Sequence, residues 1–115
     1  EFFSDMPKKI FEADLVISRS GSSTVNEIIY YNKPAILIPY PYAVDNHQYY
    51  NALELEKLSM GKIILHQNLS EKKIYNEIFK ILKNKDKRKY MKIKATKSDK
   101  INPSEKIYDL IKNEL

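Results

Sequence analysis

Cysteine is absent from the 115 residues, as is tryptophan, and glycine occurs only twice. The lack of cysteine excludes a disulfide framework, a thiolate zinc site and a cysteine nucleophile together, and makes a reducing cytoplasm the simplest setting. No uninterrupted apolar run approaches the roughly 20 residues that span a bilayer. No signal-peptide pattern opens the chain. Its first residue is Glu1, so we expect a piece of a longer protein. The two histidines, His47 and His66, are too few and too far apart for a metal motif. What is plentiful is apolar: 43% hydrophobic residues supply a core and exclude general disorder. The size fits one domain.

The net charge of +5 is not spread evenly. Lys80 to Lys100 holds ten basic residues against Asp86 and Asp99, and the remainder is slightly acidic. This segment reads first as a solvated face. It could also touch an anionic lipid surface, but it holds one aromatic residue, Tyr90, and no nucleic-acid motif, so no nucleic-acid partner is expected.

Leu15-Val16-Ile17, Ala35-Ile36-Leu37-Ile38 and Ile63-Ile64-Leu65 are continuous apolar runs suited to buried strands. Helical periodicity lies between them. Met6–Glu12 predicts a short helix, and Thr24–Tyr31 one with Val25, Ile28 and Ile29 on a face, stopped at Asn32-Lys33-Pro34. Asp45–Leu58 predicts a third, closed by Gly61. Ser70 is the expected cap of a helix carrying Ile74, Ile78, Ile81 and Leu82. Asn102-Pro103-Ser104-Glu105 predicts the start of a last helix with Ile107, Leu110 and Ile111 on its apolar face. Strands alternating with helices imply an α/β fold with a parallel sheet covered on both faces. Three strands would leave an inner edge bare, which again suggests that the amino-terminal part of the domain is missing.

Two clusters could carry chemistry. Arg19-Ser20-Gly21-Ser22-Ser23-Thr24 follows the first strand and opens a helix, where unpaired N–H groups and the positive dipole end suit a phosphate. Glu27 is open to two readings. It completes a capping box with Thr24, or it accepts from ribose hydroxyls. Asp45-Asn46-His47-Gln48, with Asn51 one turn on, offers donors and acceptors suited to neutral hydroxyls. Its alternative is a helix capped by Asp45. Tyr40, Tyr42, Tyr49 and Tyr50 could line a pocket or pack at its rim.

Ala13 to Glu27, Lys33 to Pro39, Asp45-Asn46-His47-Gln48 and Asn51-Ala52 together resemble the donor-binding region of the MurG-type glycosyltransferases, glycosyltransferase family 28. The likeness is close to about Leu65 and only architectural afterwards. It implies that residues 1–115 are the later part of a carboxy-terminal, donor-binding, Rossmann-like domain, incomplete at its amino-terminal side, in a two-domain GT-B enzyme. The reaction implied is inverting transfer of N-acetylglucosamine from UDP-N-acetylglucosamine to undecaprenyl-diphospho-muramoyl-pentapeptide, making lipid II for peptidoglycan at the cytoplasmic face of the bacterial inner membrane. No cofactor or metal is implied. The resemblance gives Phe3 the uracil edge, through its backbone, and Ser22, Ser23 and Thr24 the diphosphate. It gives Glu27 the ribose and His47 and Gln48 the sugar hydroxyls, while Arg19 and Gly21 shape the turn. The catalytic base and the lipid I pocket are expected in the missing amino-terminal domain, so the chain alone should be catalytically silent and should bind UDP-N-acetylglucosamine weakly at most. Two alternatives are a non-catalytic nucleotide-sugar-binding subunit that needs a partner acceptor domain, and a relative glycosylating another lipid.

Overall fold

The computed structural model describes residues 2–83 and 107–111, with backbone alone for residues 2–6. The elements are α1 (Phe2–Glu12), β1 (Leu15–Ser18), α2 (Ser22–Tyr30), β2 (Ala35–Leu37), α3 (His47–Lys57), β3 (Gly61–Ile63), α4 (Glu71–Lys83) and β4 (Ile107–Asp109). Short 3-10 turns at Val44–Asn46 and His66–Asn68 precede α3 and α4. The sheet is parallel throughout, in the order β3-β2-β1-β4.

Every residue of β1 and β2 is buried, because a parallel sheet is covered on both faces. Successive side chains point to opposite faces, so these runs divide into two cores. Leu15, Ile17, Ile36, Ile38 and Ile64 pack beneath Ile74, Ile81 and Leu82 of α4, with Ile111. Val16, Ala35 and Leu37 pack against Ile10 of α1, Val25 and Ile28 of α2, and Ala52 and Leu55 of α3. Among the described residues one helix thus covers one face and three cover the other. Among the described residues no helix is long and apolar enough to cross a membrane.

Two helix boundaries follow local chemistry. At the end of α2, Asn32 takes a left-handed φ of 55° while its N–H and that of Lys33 donate to Ile29 and Ile28, a terminal motif in which asparagine stands where glycine is commonest. At the start of α4, the Lys73 N–H donates to the Ser70 hydroxyl at 3.0 Å, the cap expected from sequence.

Other expectations are overturned. Ile107–Asp109 is β4, paired in parallel with Leu15–Ile17 of β1, and not part of a helix. The pairing continues through the Leu110 N–H to Ile17 O at 2.8 Å, and Asp109 then turns the chain by accepting from the Ile111 N–H. Partnering with a buried strand outweighs a three-and-four spacing over five residues. β4 lies on the β1 edge that a three-strand sheet would leave bare. The start signal at 102–105 and most of the lysine-rich stretch lie outside the described residues. β3 spans Gly61–Ile63, two residues earlier than the apolar run suggests, because Lys62 pairs with Ile36.

Gly61 does not end α3 either. Ser59 does, at φ 59°, with Ser59 and Met60 donating to Glu56 and Leu55. Gly61 is small because the strand passes hard against α3. A Cβ there would lie 3.0 Å from Leu55 Cβ and 3.3 Å from Leu37 Cδ1. Gly61→Ala is therefore expected to destabilise by about 1–3 kcal/mol through overpacking, read as a lower urea midpoint at unchanged slope.

Candidate functional site

In an open α/β sheet, ligands collect at the carboxyl ends of the strands. Here β1 gives way there to Arg19-Ser20-Gly21 and then α2. The helix cap is Gly21 (φ −63°, ψ 152°), which makes no side-chain cap hydrogen bond. This overturns the capping-box reading. Thr24 is the third helical residue and not the cap, and Glu27 lies a further turn into the helix, half-buried. A capping box needs its hydroxyl at the cap and its Glu three residues on. The first intrahelical bond runs from the Val25 N–H to Gly21 O at 3.0 Å. The N–H groups before it have no intrahelical acceptor. Ser22 and Ser23 are exposed at this end, and Glu27 shares their side of the helix, four residues beyond Ser23.

The turn owes its shape to α3. The buried Ser20 donates its hydroxyl to Gln48 O at 2.6 Å and its N–H to Gln48 Oε1 at 3.2 Å. Its carbonyl accepts from Asn51 Nδ2 at 3.0 Å. Gln48 Oε1 also accepts the Tyr40 N–H at 2.9 Å. All three polar groups of Ser20 are thereby held by one helix. Gln48 Nε2 is the amide's remaining donor, and it lies 3.7 Å from where a Cβ on Gly21 would stand.

Arg19 braces the same edge from below. Its guanidinium donates to Ile38 O at 3.2 Å and to Pro39 O at 3.5 Å, contacts His66 Nδ1 at 3.2 Å, and lies over the Tyr40 ring. A guanidinium only donates, so His66 Nδ1 accepts, and the neutral ring carries its proton on Nε2.

Asn46, and not Asp45, caps α3, and it does so without a side-chain hydrogen bond. Asp45 and Asn46 are both left-handed, at φ 52° and 58°. His47 is exposed, and its Nδ1 lies 2.9 Å from Val44 O. A carbonyl only accepts, so Nδ1 carries the proton and Nε2 of the neutral ring is an acceptor. His47 and Gln48 therefore offer opposite hydrogen-bonding senses, one acceptor and one donor, which suits hydroxyl groups. Phe3 lies in the first turn of α1. That helix reverses into β1 through Ala13-Asp14, so its start faces the carboxyl edge of the sheet. The structure thus brings Gln48 to the turn that opens α2, with Ser22, Ser23, Thr24 and Glu27 on that helix and His47 beside Gln48 at the start of α3. The bonds of Ser20 to Gln48 and Asn51 escape sequence reasoning, being 28 and 31 positions long. So does the Arg19–His66 contact.

Residues 1–111 match the sequence model of the glycosyltransferase family 28 C-terminal domain. The chain belongs to that family. Curated relatives are similar to it. One from Rickettsia massiliae (strain Mtu5) is 48% identical over 84 residues, 73% of this chain and 22% of the relative. One from Acetivibrio thermocellus is 38% identical over 112 residues, 97% of this chain and 30% of the relative. Both are named UDP-N-acetylglucosamine–N-acetylmuramyl-(pentapeptide) pyrophosphoryl-undecaprenol N-acetylglucosamine transferase. The chain thus spans less than a third of the length of these relatives. No solved structure matches it.

Proposed function

We propose that this chain is the donor-binding part of an inverting N-acetylglucosaminyltransferase of peptidoglycan synthesis. Its donor is UDP-N-acetylglucosamine, and its acceptor is undecaprenyl-diphospho-muramoyl-pentapeptide, held by a domain outside this chain. The enzyme would work as a peripheral protein on the cytoplasmic face of the inner membrane. The observation that carries the reading is the start of α2, whose cap Gly21 makes no side-chain hydrogen bond, fed by a turn that α3 holds at three points.

The chemistry follows from those parts. The diphosphate sits against the first-turn N–H groups and the hydroxyls of Ser22 and Ser23, where the helix dipole favours negative charge. As the sugar–phosphate bond breaks, charge grows on the departing UDP. Donors already in place stabilise it without reorganising. Glu27, one turn along, accepts from the ribose hydroxyls. His47 accepts from a sugar hydroxyl, and Gln48 donates through Nε2. Phe3 offers its first-turn backbone to the base. The attacking acceptor hydroxyl loses its proton to a group outside this chain.

Calorimetric titration tests the reading. UDP-N-acetylglucosamine should bind the purified protein, and UDP-galactose should compete poorly. Free UDP should retain most of the affinity, because the turn reads the diphosphate. Equal binding of both sugars would move the assignment to another acceptor class. No binding of UDP in any form would end it.

A further inference from the structure

Among the described residues, the outer face of α4 differs from that of every other helix. Ile74, Glu77, Ile81 and Leu82 are buried, so the helical repeat turns Lys72, Asn76, Phe79, Lys80 and Lys83 outward, with Lys73 and Tyr75 at the margins. All four lysines are exposed. The one exposed acid of the helix, Glu71, is its first residue, where it suits the helix dipole. Glu77 is buried and lies 3.9 Å from Lys80. Lys72 and Lys73 have no acidic partner among the described residues. By contrast α3 exposes Glu54 and Glu56 beside Lys57, α1 exposes Lys8 and Lys9 beside Glu12, and α2 exposes no charged residue. Mixed signs are usual on a solvated helix. The single sign on α4 is not.

Two aromatic rings lie within this basic field. Tyr75 is 58% exposed, and its ring stacks on Phe79 at 5.8 Å and 21°. Lys83 Nζ stands 4.1 Å from the Phe79 ring centre. The core does not use these rings, since α4 reaches it through Ile74, Ile81 and Leu82. Aromatic rings flanked by lysines suit the headgroup level of a bilayer, where ring carbons meet acyl chains and ammonium groups meet phosphates. The lysine stems add apolar length while their heads stay among the headgroups. A nucleic acid fits less well. Single-strand binders leave ring faces open for bases, whereas Phe79 has a neighbour one turn away in each direction, Tyr75 and Lys83.

We propose that the outer face of α4 is a docking surface for an anionic lipid bilayer. The helix lies along the headgroups, with Lys72, Lys73, Lys80 and Lys83 against lipid phosphates and Tyr75 at the interface. Charge complementarity carries the choice of partner. The sequence keeps the same sign beyond the helix, with ten basic residues against two acidic from Lys80 to Lys100. The 13 residues of α4 span about 20 Å, so the contact is broad and shallow. α4 covers the face of the sheet opposite α2 and α3. The contact therefore does not rest on whether the turn at the start of α2 takes a nucleotide sugar.

Vesicle co-sedimentation and tryptophan emission test this. The protein should sediment with vesicles of equal parts phosphatidylglycerol and phosphatidylcholine, and not with phosphatidylcholine alone. Added salt should release it. Each lysine beside an anionic surface is worth roughly fivefold in affinity, so Lys72→Gln with Lys73→Gln should weaken binding roughly 10- to 30-fold. Lys9→Gln with Lys57→Gln removes the same charge from α1 and α3, and should weaken binding less than about threefold. All four positions are exposed, so thermal midpoints should match the parent. The chain has no tryptophan, so Tyr75→Trp reports on this face alone. Its emission should move to the blue when the anionic vesicles are added. Tyr30→Trp, on the exposed end of α2, should not move. Equal binding to phosphatidylcholine, equal losses from the two lysine pairs, or a blue shift from Tyr30→Trp in place of Tyr75→Trp would each overturn the proposal. So would displacement from the vesicles by a single-stranded thymidine oligonucleotide that binds the protein more tightly, which would make the face a nucleic-acid surface.

Discussion

Gln48→Ala is expected to lower stability by about 2–3 kcal/mol, because it leaves the buried Ser20 N–H without a partner. In a domain of this size that is a fall of roughly 8–20 °C in thermal midpoint. Donor affinity should fall with it, since the turn no longer has its fixed shape. Two effects could produce that result, and Gln48→Glu separates them. A carboxylate still accepts both N–H groups that Gln48 Oε1 holds, from Ser20 and Tyr40. Stability should return to within about 1 kcal/mol of the parent. Donor binding should not return, because Nε2 is lost as a donor and a negative charge stands beside the turn proposed to take the diphosphate. If Gln48→Glu instead restores binding as well as folding, Gln48 serves the turn alone and does not touch the sugar.

Glu27→Gln carries the second large effect. A carboxylate accepting from two ribose hydroxyls makes charge-assisted bonds, and neutralising it should weaken UDP-N-acetylglucosamine by about 10- to 100-fold. The unfolding midpoint should move little. Glutamine and glutamate have similar helix propensity, and Glu27 forms no capping box. Calorimetry and thermal melting on the same samples decide the matter. A drop in stability with unchanged donor affinity would mean that Glu27 supports the helix and leaves the ribose alone.

The sequence yielded most where burial dictates it. Leu15-Val16-Ile17 and Ala35-Ile36-Leu37 could only be strands covered on both faces, and they are. Val25 and Ile28 fixed the inner face of α2. Ile107, Leu110 and Ile111 misled, because their spacing is helical over a stretch too short to be decisive. The pairing partner of that stretch lies about ninety residues earlier, and no local pattern reports such a partner. Thr24 and Glu27 misled in a subtler way. Their spacing is that of a capping box, but the helix begins two residues before Thr24, with Gly21 as the cap. The polar residues of the site stood out in the chain as a serine-rich turn and an Asn-His-Gln cluster. What could not be read was that one amide oxygen, Gln48 Oε1, ties the two together. Hydrogen bonds between distant loops leave no periodicity in a sequence.

The three-point hold on Ser20 also bears on evolution within such a fold. Because hydroxyl, amide and carbonyl of one residue all dock on α3, the turn proposed to cradle the pyrophosphate and the residues proposed to read the hexose would form a single rigid ruler. A new sugar preference is then reached more readily by exchanging side chains along α3 than by lengthening the loop ahead of it, since an inserted residue would shift both ends of the ruler at once.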